Sequence, residues 1–167
     1  MVHRVPKFGM MAAMLDGFDL LLLNAVQRDD SQTAEQLAQR VALSPSAIAR
    51  RLRRLRGQGL IARTVALLAE RLTRHRLRAL VFIELSEHAD LQGKAALERR
   101  LKSEQSVQFC YETTGSCDLL ALIDCVSMAE FNALCDSVLV ADPTVRRYET
   151  SFVKREVKFA PFVELKA

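Results

Sequence analysis

The sequence predicts an α+β protein of two domains: an N-terminal three-helix helix-turn-helix domain of winged-helix-like type, and a C-terminal ferredoxin-like domain with the order βαββαβ. Apolar residues recur at helical spacing in the first third of the chain, whereas strand-like runs alternate with helical segments after residue 79. Residues 1–76 hold 13 Lys and Arg against 6 Asp and Glu, and residues 77–167 hold 11 against 14. A basic half joined to a mildly acidic half indicates a polyanion-binding module attached to a domain with another task.

The 167 residues suffice for two small hydrophobic cores. Changes in periodicity and composition set the expected boundaries. They divide the chain into an N-terminal arm (1–14), a helix-turn-helix domain (15–61), a linker (62–78), a ferredoxin-like domain (79–160) and a C-terminal tail (161–167).

The first helix is expected to begin near Asp16 and to end before the polar cluster at residues 29–31. Its apolar residues recur at helical spacing. They are Phe18, Leu21, Leu22, Ala25 and Val26.

A second helix is predicted from Ala34 to Val41, because Thr33 and Gln36 match a capping box. It should bury Leu37, Ala38 and Val41. The third helix starts after Ser44, a good N-cap, with Pro at its first position. It runs through Arg56 and stops at the glycines of residues 57–59. Two helices with so short a connection form a helix-turn-helix.

The third helix has the features of a DNA recognition helix. A helical wheel places Ile48, Leu52 and Leu55 on one buried stripe and the basic residues on the other faces. Five arginines without an acid repel one another in an isolated helix, a cost that phosphates would offset. A solvated basic face without a partner is the alternative. The predicted DNA-binding residues are Ser44, Ser46, Ala47, Arg50, Arg51, Arg53, Arg54 and Arg56, with Ser46, Ala47 and Arg50 nearest the bases.

The second half alternates strands and helices around a turn at Gly115-Ser116. Residues 62–80 are expected to hold one strand or helical turn. The predicted strands are 80–85, 107–113, 118–125 and 145–153. A helix is predicted at 94–102, with Ala95, Leu97 and Leu101 inward. A second helix is predicted at 128–140, with Phe131, Leu134, Cys135 and Val138 on one face.

Several segments together resemble the Lrp/AsnC (feast/famine) family of transcription regulators. They are residues 15–19, 37–46, 50–55 and 59–61, followed by the βαββαβ half with its Gly115-Ser116-Cys117-Asp118 turn. The resemblance implies double-stranded DNA as partner and a homodimer of back-to-back sheets, which often assembles into tetramers or octamers. It also implies a small effector, usually an amino acid, bound between dimers near the glycine turn. The corresponding residues are Thr113, Thr114, Gly115, Ser116, Cys117 and Asp118.

Four positions depart from the family pattern. Ser116 stands where an acid is usual, and Leu119 and Thr64 stand where aromatic residues are common, so the effector stays open. Ala42 replaces a glycine, which would cost about 1 kcal/mol if its φ were positive.

The turn has the chemistry to bind an amino acid. Backbone N–H groups at a glycine turn can receive a carboxylate, and Asp118 can receive an ammonium. A plain hairpin with a turn aspartate is the alternative. We interpret three cysteines, Cys110, Cys117 and Cys125, as small apolar residues, and redox sensing is the less favoured interpretation.

Other classes of function find little support in the sequence. The cysteine spacing does not suit zinc, and we expect no metal, no cofactor and no membrane segment, hence a cytoplasmic protein with reduced thiols. Sirohaem decarboxylases resemble the same two-domain arrangement, but residues 107–112 lack histidine, so an enzyme is not expected. An architectural protein that wraps DNA with little sequence preference stays an alternative.

Overall fold

The structure, a computed structural model, describes residues 15–87 and 90–166. The predicted arm, residues 1–14, lies outside the described residues. The chain divides into two compact units. One holds the described residues up to Leu67 together with those from Phe159 onwards, and the other holds Leu68–Lys158.

The first unit is built on three helices: α1 (Gly17–Val26), α2 (Ala34–Ala38) and α3 (Pro45–Gly57). Its core joins all three helices. The buried apolar residues are Leu22, Leu23, Val26, Leu37, Val41, Ile48, Leu52 and Leu55. The predicted buried stripe of α3 and the predicted Leu37 and Val41 are therefore confirmed.

Helix α1 buries Leu22 and Val26, which the apolar spacing included. The spacing was wrong at two positions, because Leu21 is 52% exposed and Phe18 is 37% exposed, whereas Asp19 and Leu23 are buried. It counted only apolar residues and so missed the acid on the buried stripe. Helix α2 is also shorter than predicted, ending at Ala38, and Val41 reaches the core from the turn that follows.

The ends of α3 form as predicted. The Ser44 hydroxyl accepts a hydrogen bond from the Ala47 N–H at 3.3 Å, and Pro45 occupies the first turn. At the other end Gly59 has a φ of 70°, and the Leu60 N–H donates to the Leu55 carbonyl at 3.0 Å. This left-handed glycine closes the helix and turns the chain away from it.

The second unit is the predicted βαββαβ layer. After a short helix α4 (Glu70–Thr73) come β1 (Leu77–Leu85), α5 (Leu91–Ser103), β2 (Val107–Glu112), β3 (Leu119–Cys125), α6 (Met128–Cys135) with a π-helical turn (Asp136–Val140), and β4 (Val145–Phe152). The four strands pair antiparallel in the order β2-β3-β1-β4. The helices cover one face of the sheet, and the core includes the predicted residues of α5 and α6, Leu97, Leu101, Phe131, Leu134, Cys135 and Val138.

Three elements of this unit differ from the prediction. Helix α5 begins at Leu91 rather than residue 94, because the Asp90 carboxylate caps it by accepting from the Gly93 N–H. Strand β1 begins at Leu77 rather than residue 80, because the charge of Arg78 is neutralised by Asp124 on the neighbouring strand. The last helix was predicted to run to residue 140, but its α-helical part ends at Cys135. The wider π-helical turn that follows buries both Val138 and Leu139.

Candidate DNA-binding and effector sites

The exposed face of α3 carries two arginines that no acid in the described residues neutralises. Arg50 and Arg53 are exposed, and neither guanidinium forms an ion pair or hydrogen bond with any part of the chain that the structure describes. Ser46 is exposed and Ala47 is partly exposed on the first turn of the helix. These four predicted residues are therefore accessible to a ligand. The predicted Ser44 is exposed as well, but its hydroxyl caps the helix.

Two other arginines of α3 are held by one buried carboxylate. The Asp19 side chain is 1% exposed and accepts from Arg51 Nη1 at 2.8 Å and from Arg54 Nη2 at 2.5 Å. Arg51 also bonds Asp16 at 2.7 Å, and its guanidinium lies 5.7 Å from the centre of the Phe18 ring. Acids on α1 and at its N-cap thus neutralise the charge at the centre of α3.

The Asp19 carboxylate does a second task within α1. Its Oδ2 accepts from the Asp16 N–H at 3.2 Å, while Asp16 Oδ1 accepts from the Asp19 N–H at 2.9 Å, which completes a capping box. Burial alone would raise the pKa of the Asp19 carboxyl. The hydrogen bonds from Arg51, Arg54 and the Asp16 backbone outweigh burial and lower that pKa below 3.8. Asp19 is therefore ionised at neutral pH.

The fifth arginine of α3 is held at its C-terminal end. Arg56 Nη2 lies 2.6 Å from Asp30 Oδ1, and the Thr64 hydroxyl donates to the other oxygen of the same carboxylate at 2.7 Å. Arg54 and Arg56 nevertheless keep 43% and 45% of their side chains exposed. A guanidinium has five N–H donors, so each arginine retains donors for a further acceptor.

The predicted effector turn, residues 113–118, connects β2 to β3. Its base is closed by backbone hydrogen bonds, from the Thr113 N–H to the Asp118 carbonyl and from the Asp118 N–H to the Ile83 carbonyl, both 2.9 Å. The Thr113 hydroxyl donates to the Cys117 carbonyl at 2.5 Å. Among the described residues, nothing accepts from the backbone N–H groups of residues 114–117. The turn thus presents four consecutive unpaired amide donors.

Two residues of this turn have particular surroundings. Asp118 Oδ2 accepts from the Leu85 N–H at 2.8 Å, and its other oxygen has no hydrogen-bond partner in the described ranges. A Cβ built on Gly115 would meet nothing within 4 Å, and its φ is not positive. The fold therefore does not require glycine at this position.

A cavity of about 430 Å³ lies between α5 and β2, a feature that the sequence did not predict. Glu112, at the end of β2, forms an ion pair with Lys94 of α5, which raises the pKa of Lys94. The cavity is lined by Glu98, Leu101, Lys102, Val107, Gln108, Phe109, Cys110, Glu112 and Leu119.

The cysteines behave as apolar residues. All four are free, and Cys125 and Cys135 are buried. Burial raises the pKa of Cys110 and Cys125, and it raises the pKa of Cys135 to about 11. These three thiols are therefore protonated at neutral pH and are weak nucleophiles.

No cluster of potential metal ligands occurs in residues 15–87 and 90–166. Across the same residues, no helix has the length and apolar character needed to cross a membrane.

Comparison with known proteins identifies the family. Residues 78–161, half of the chain, match the model of the Lrp/AsnC ligand binding domain. The chain belongs to the Lrp/AsnC family of transcription regulators. Residues 15–62 of this Lrp/AsnC regulator match the model of a winged helix-turn-helix DNA-binding domain. The predicted family and fold class are thereby confirmed.

Similar proteins match this Lrp/AsnC regulator over most of their length. An uncharacterized HTH-type transcriptional regulator of Sinorhizobium fredii is 30% identical over 92% of both chains. The leucine-responsive regulatory protein of Escherichia coli K12 is 31% identical over 86% of this chain and 87% of its own. The crystal structure of a transcriptional regulator of Neisseria meningitidis in complex with L-Met has a TM-score of 0.79 at 26% identity, covering 91% of this chain and 96% of its own.

The sequence did not predict the partners of the α3 arginines in this Lrp/AsnC regulator. Asp19 shares one stripe of α1 with Leu22, Leu23 and Val26, at the spacing i, i+3, i+4 and i+7. An acid on a buried stripe needs a cationic partner, and α3 was the basic element available. That signal was present in the sequence.

Proposed function

We propose that this regulator binds double-stranded DNA sequence-specifically, with α3 in the major groove. The observation that carries the proposal is the division of the α3 arginines into two groups. Arg50 and Arg53 have no acidic partner among the described residues, whereas Arg51, Arg54 and Arg56 are fixed by carboxylates. Unpaired guanidiniums on an exposed helix face suit guanine edges and phosphates.

The position of each residue on α3 supports a distinct role. Ser46, Ala47 and Arg50 lie in the N-terminal half, the part of a recognition helix that reaches base edges in this motif. We assign Arg53 to a phosphate, because it lies nearly one turn further along. The acid-bound arginines Arg51, Arg54 and Arg56 would add phosphate contacts through their remaining donors, and Ser44 would act through the helix cap.

We further propose that two copies associate through the open face of the sheet. The face away from the helices carries two apolar rows that run across β1, β3 and β2. They are Leu80, Leu122 and Phe109 in one row, and Phe82, Leu120 and Tyr111 in the other. Tyr111 is 60% exposed and stacks on Phe109 at 4.9 Å. A second identical sheet would cover these rows, which supports a homodimer.

The turn at residues 113–118 supports an amino acid as effector. Its four unpaired amide donors suit a carboxylate, and the free oxygen of Asp118 suits an ammonium. The similar regulator from Neisseria meningitidis binds L-Met, which makes L-Met the first ligand to test.

The DNA-binding proposal is tested by fluorescence anisotropy on the DNA upstream of this gene and on a scrambled duplex, at about 150 mM salt. We expect the upstream duplex to bind about a hundredfold more tightly. Equal binding to both duplexes would replace the proposal with an architectural DNA-wrapping protein. Binding to neither duplex would reject both DNA-binding hypotheses and favour the enzyme alternative.

The effector site is tested on the same assay with L-Met and then with a pool of amino acids. A bound effector should shift the affinity for the upstream duplex, and Gly115→Val should abolish the shift by shielding the amide donors. The valine meets no neighbouring atom, so folding should be unchanged. Lys102→Ala, in the cavity between α5 and β2, is the matched control. Loss of the shift in Lys102→Ala alone would move the site into that cavity.

A further inference from the structure

The C-terminal tail is bound along α1 by two side-chain amides that recognise backbone. Asn24 Nδ2 donates to the Leu165 carbonyl and Asn24 Oδ1 accepts from the Leu165 N–H, both at 2.9 Å. Gln27 repeats this pattern on Val163, where its Oε1 accepts from the N–H at 3.0 Å and its Nε2 donates to the carbonyl. The Gln27 amide also donates to Asn24 Oδ1 at 2.9 Å. Residues one helical turn apart thus pair with alternate residues of the tail.

Apolar contacts reinforce these hydrogen bonds. Leu165 packs on the core of the first unit, whereas Val163 points its side chain outward and is 68% exposed. Arg28, just after α1, places its guanidinium 4.6 Å from the centre of the Phe162 ring. The tail therefore occupies a defined site on α1 rather than running free.

The segment that leads from β4 into the tail is fixed to the second unit. The Val153 N–H donates to the Arg78 carbonyl at 2.8 Å, and Arg78 Nη1 lies 3.0 Å from Glu156 Oε2. The same Arg78 binds the buried Asp124 at 2.8 Å, and Arg76, where the linker enters β1, pairs with Asp124 as well. One ion network thus holds the end of the linker and the start of the tail.

We propose that residues 153–166, which include the described part of the C-terminal tail, form a strap between the two units. The strap limits how far the first, DNA-binding unit can move from the second, sensing unit. Between the two fixed ends, residues 157–161 make no hydrogen bond within the described part of the chain. The strap is therefore a free span with a docked end on each unit. This inference does not depend on the identity of the effector or of the DNA sequence.

The length of the free span sets the limit. From Glu156 to Phe162 a fully extended chain reaches at most about 20 Å. If the tail leaves α1, only the linker joins the units. Thr64 bonds Asp30 of the first unit and α4 begins at Glu70, so the linker between them also reaches at most about 20 Å, and one tether replaces two. Undocking the strap should therefore widen the distribution of distances between the units.

The test measures that distribution by pulsed electron paramagnetic resonance. Spin labels are attached through a ketone-bearing amino acid at Gln39 and Arg99, two exposed positions on different units, so that the four native cysteines stay unchanged. Labelled protein is diluted into excess unlabelled protein. In the double variant Asn24→Ala/Gln27→Ala we expect the width of the distribution to increase about twofold. The double variant Glu164→Ala/Lys166→Ala is the control, because these exposed side chains pair with each other and with no further group in the described residues.

Hydrogen exchange verifies that the first variant acts as intended. The amides of Val163 and Leu165 should be protected in the wild type and should exchange at least about tenfold faster in Asn24→Ala/Gln27→Ala, because their acceptors are gone. Unprotected amides in the wild type would overturn the proposal, as would an unchanged distance distribution once the tail is shown to be released.

A synthetic peptide distinguishes a tail that tethers the two units from a tail that only stabilises the first unit. In a chain truncated after Pro161, a synthetic peptide of residues 159–167 can refill the site on α1 but cannot join the units. We expect the peptide to restore the thermal stability of the DNA-binding unit and to leave the distance distribution broad. Restoration of the narrow distribution by the free peptide would show that the tail acts through local stability and would reject the strap.

Discussion

The recognition helix α3 and the glycine turn present their binding groups in opposite ways. Three of the five arginines of α3 are already held by aspartates, and the helix offers two more that are unpaired in the described residues. The turn offers amide dipoles and one aspartate oxygen, and nothing in the described residues neutralises that oxygen. Several like charges on one helix repel one another and need acids within the protein, whereas amide dipoles are solvated by water. The five arginines of α3 are therefore not interchangeable, since three are held by aspartates and two are not.

The largest effect should come from removing the acid that organises α3. Asp19→Ala leaves Arg51 and Arg54 without their buried partner and breaks the capping box. Because both arginines can turn toward solvent, we expect a loss of about 2–3 kcal/mol in the stability of the DNA-binding unit. Both tyrosines lie in the other unit and the chain has no tryptophan, so the loss is best followed by hydrogen exchange of the α3 amides.

Asp16→Asn is the matched control for Asp19→Ala. Asp16 is exposed, and asparagine preserves its cap, so stability should change little. Equal losses of stability in the two variants would show that the buried position of the Asp19 carboxylate is not the cause of the destabilisation.

The same carboxylate should make the DNA-binding unit sensitive to acid. The folded-state pKa of Asp19 is lowered below 3.8, so its stabilisation is complete above the unfolded-state pKa and is lost as pH falls through the folded value. The denaturant concentration at which the α3 amides lose half of their protection should therefore decrease as the pH falls below about 4. Asp19→Asn, which cannot titrate, should flatten this dependence, and an equally steep fall in that variant would assign the acid sensitivity to other groups.

Removing each unpaired arginine of α3 should separate base recognition from phosphate contact. Arg50→Ala should reduce the preference for the upstream duplex by about 1–3 kcal/mol. Arg53→Ala should weaken binding to both duplexes alike and reduce the magnitude of the salt slope by about 1. Salt titrations by anisotropy measure both quantities, and identical behaviour of the two variants would abolish the division of roles on α3.

The smallest effect concerns the turn before α3. Ala42 replaces the glycine common in the family, but no described non-glycine residue has a positive φ, so the expected strain is absent. Ala42→Gly should then destabilise the DNA-binding unit by about 0.4–1 kcal/mol, through the greater entropy of the unfolded chain. Thermal unfolding checks the sign, and stabilisation by glycine would indicate hidden strain.

The sequence predicted those features that depend on neighbouring residues. The cap at Ser44, the left-handed Gly59 and the buried stripe of α3 all follow from residues within one or two helical turns. The βαββαβ order of elements along the chain likewise follows from the alternation of strand and helix patterns. Within the candidate DNA site, the exposed positions of Arg50 and Arg53 agree with the expectation from the helical wheel.

The features that the sequence analysis missed depend on distant pairs. Asp19 and Arg51 are 32 positions apart, and Asn24 and Leu165 are 141 apart. Periodicity within one element cannot identify the partner across such a distance, although the place of Asp19 on the buried stripe of α1 indicates that it needs one. Arg78 fell at the end of the predicted linker, 62–78, whereas it lies in β1, where Asp124 of the neighbouring strand neutralises its charge.

The return of the chain to the first unit has a consequence for biosynthesis. Helices α1, α2 and α3 are made early, whereas Leu165, which packs against their core, is made 98 residues after Leu67 (165 minus 67). At about 5–20 residues per second, the interval between Leu67 and Leu165 is on the order of 5–20 seconds. During that time Asn24 and Gln27 lack their backbone partners. A nascent chain that has not yet reached Leu165 therefore carries a helix-turn-helix whose core lacks this packing contact.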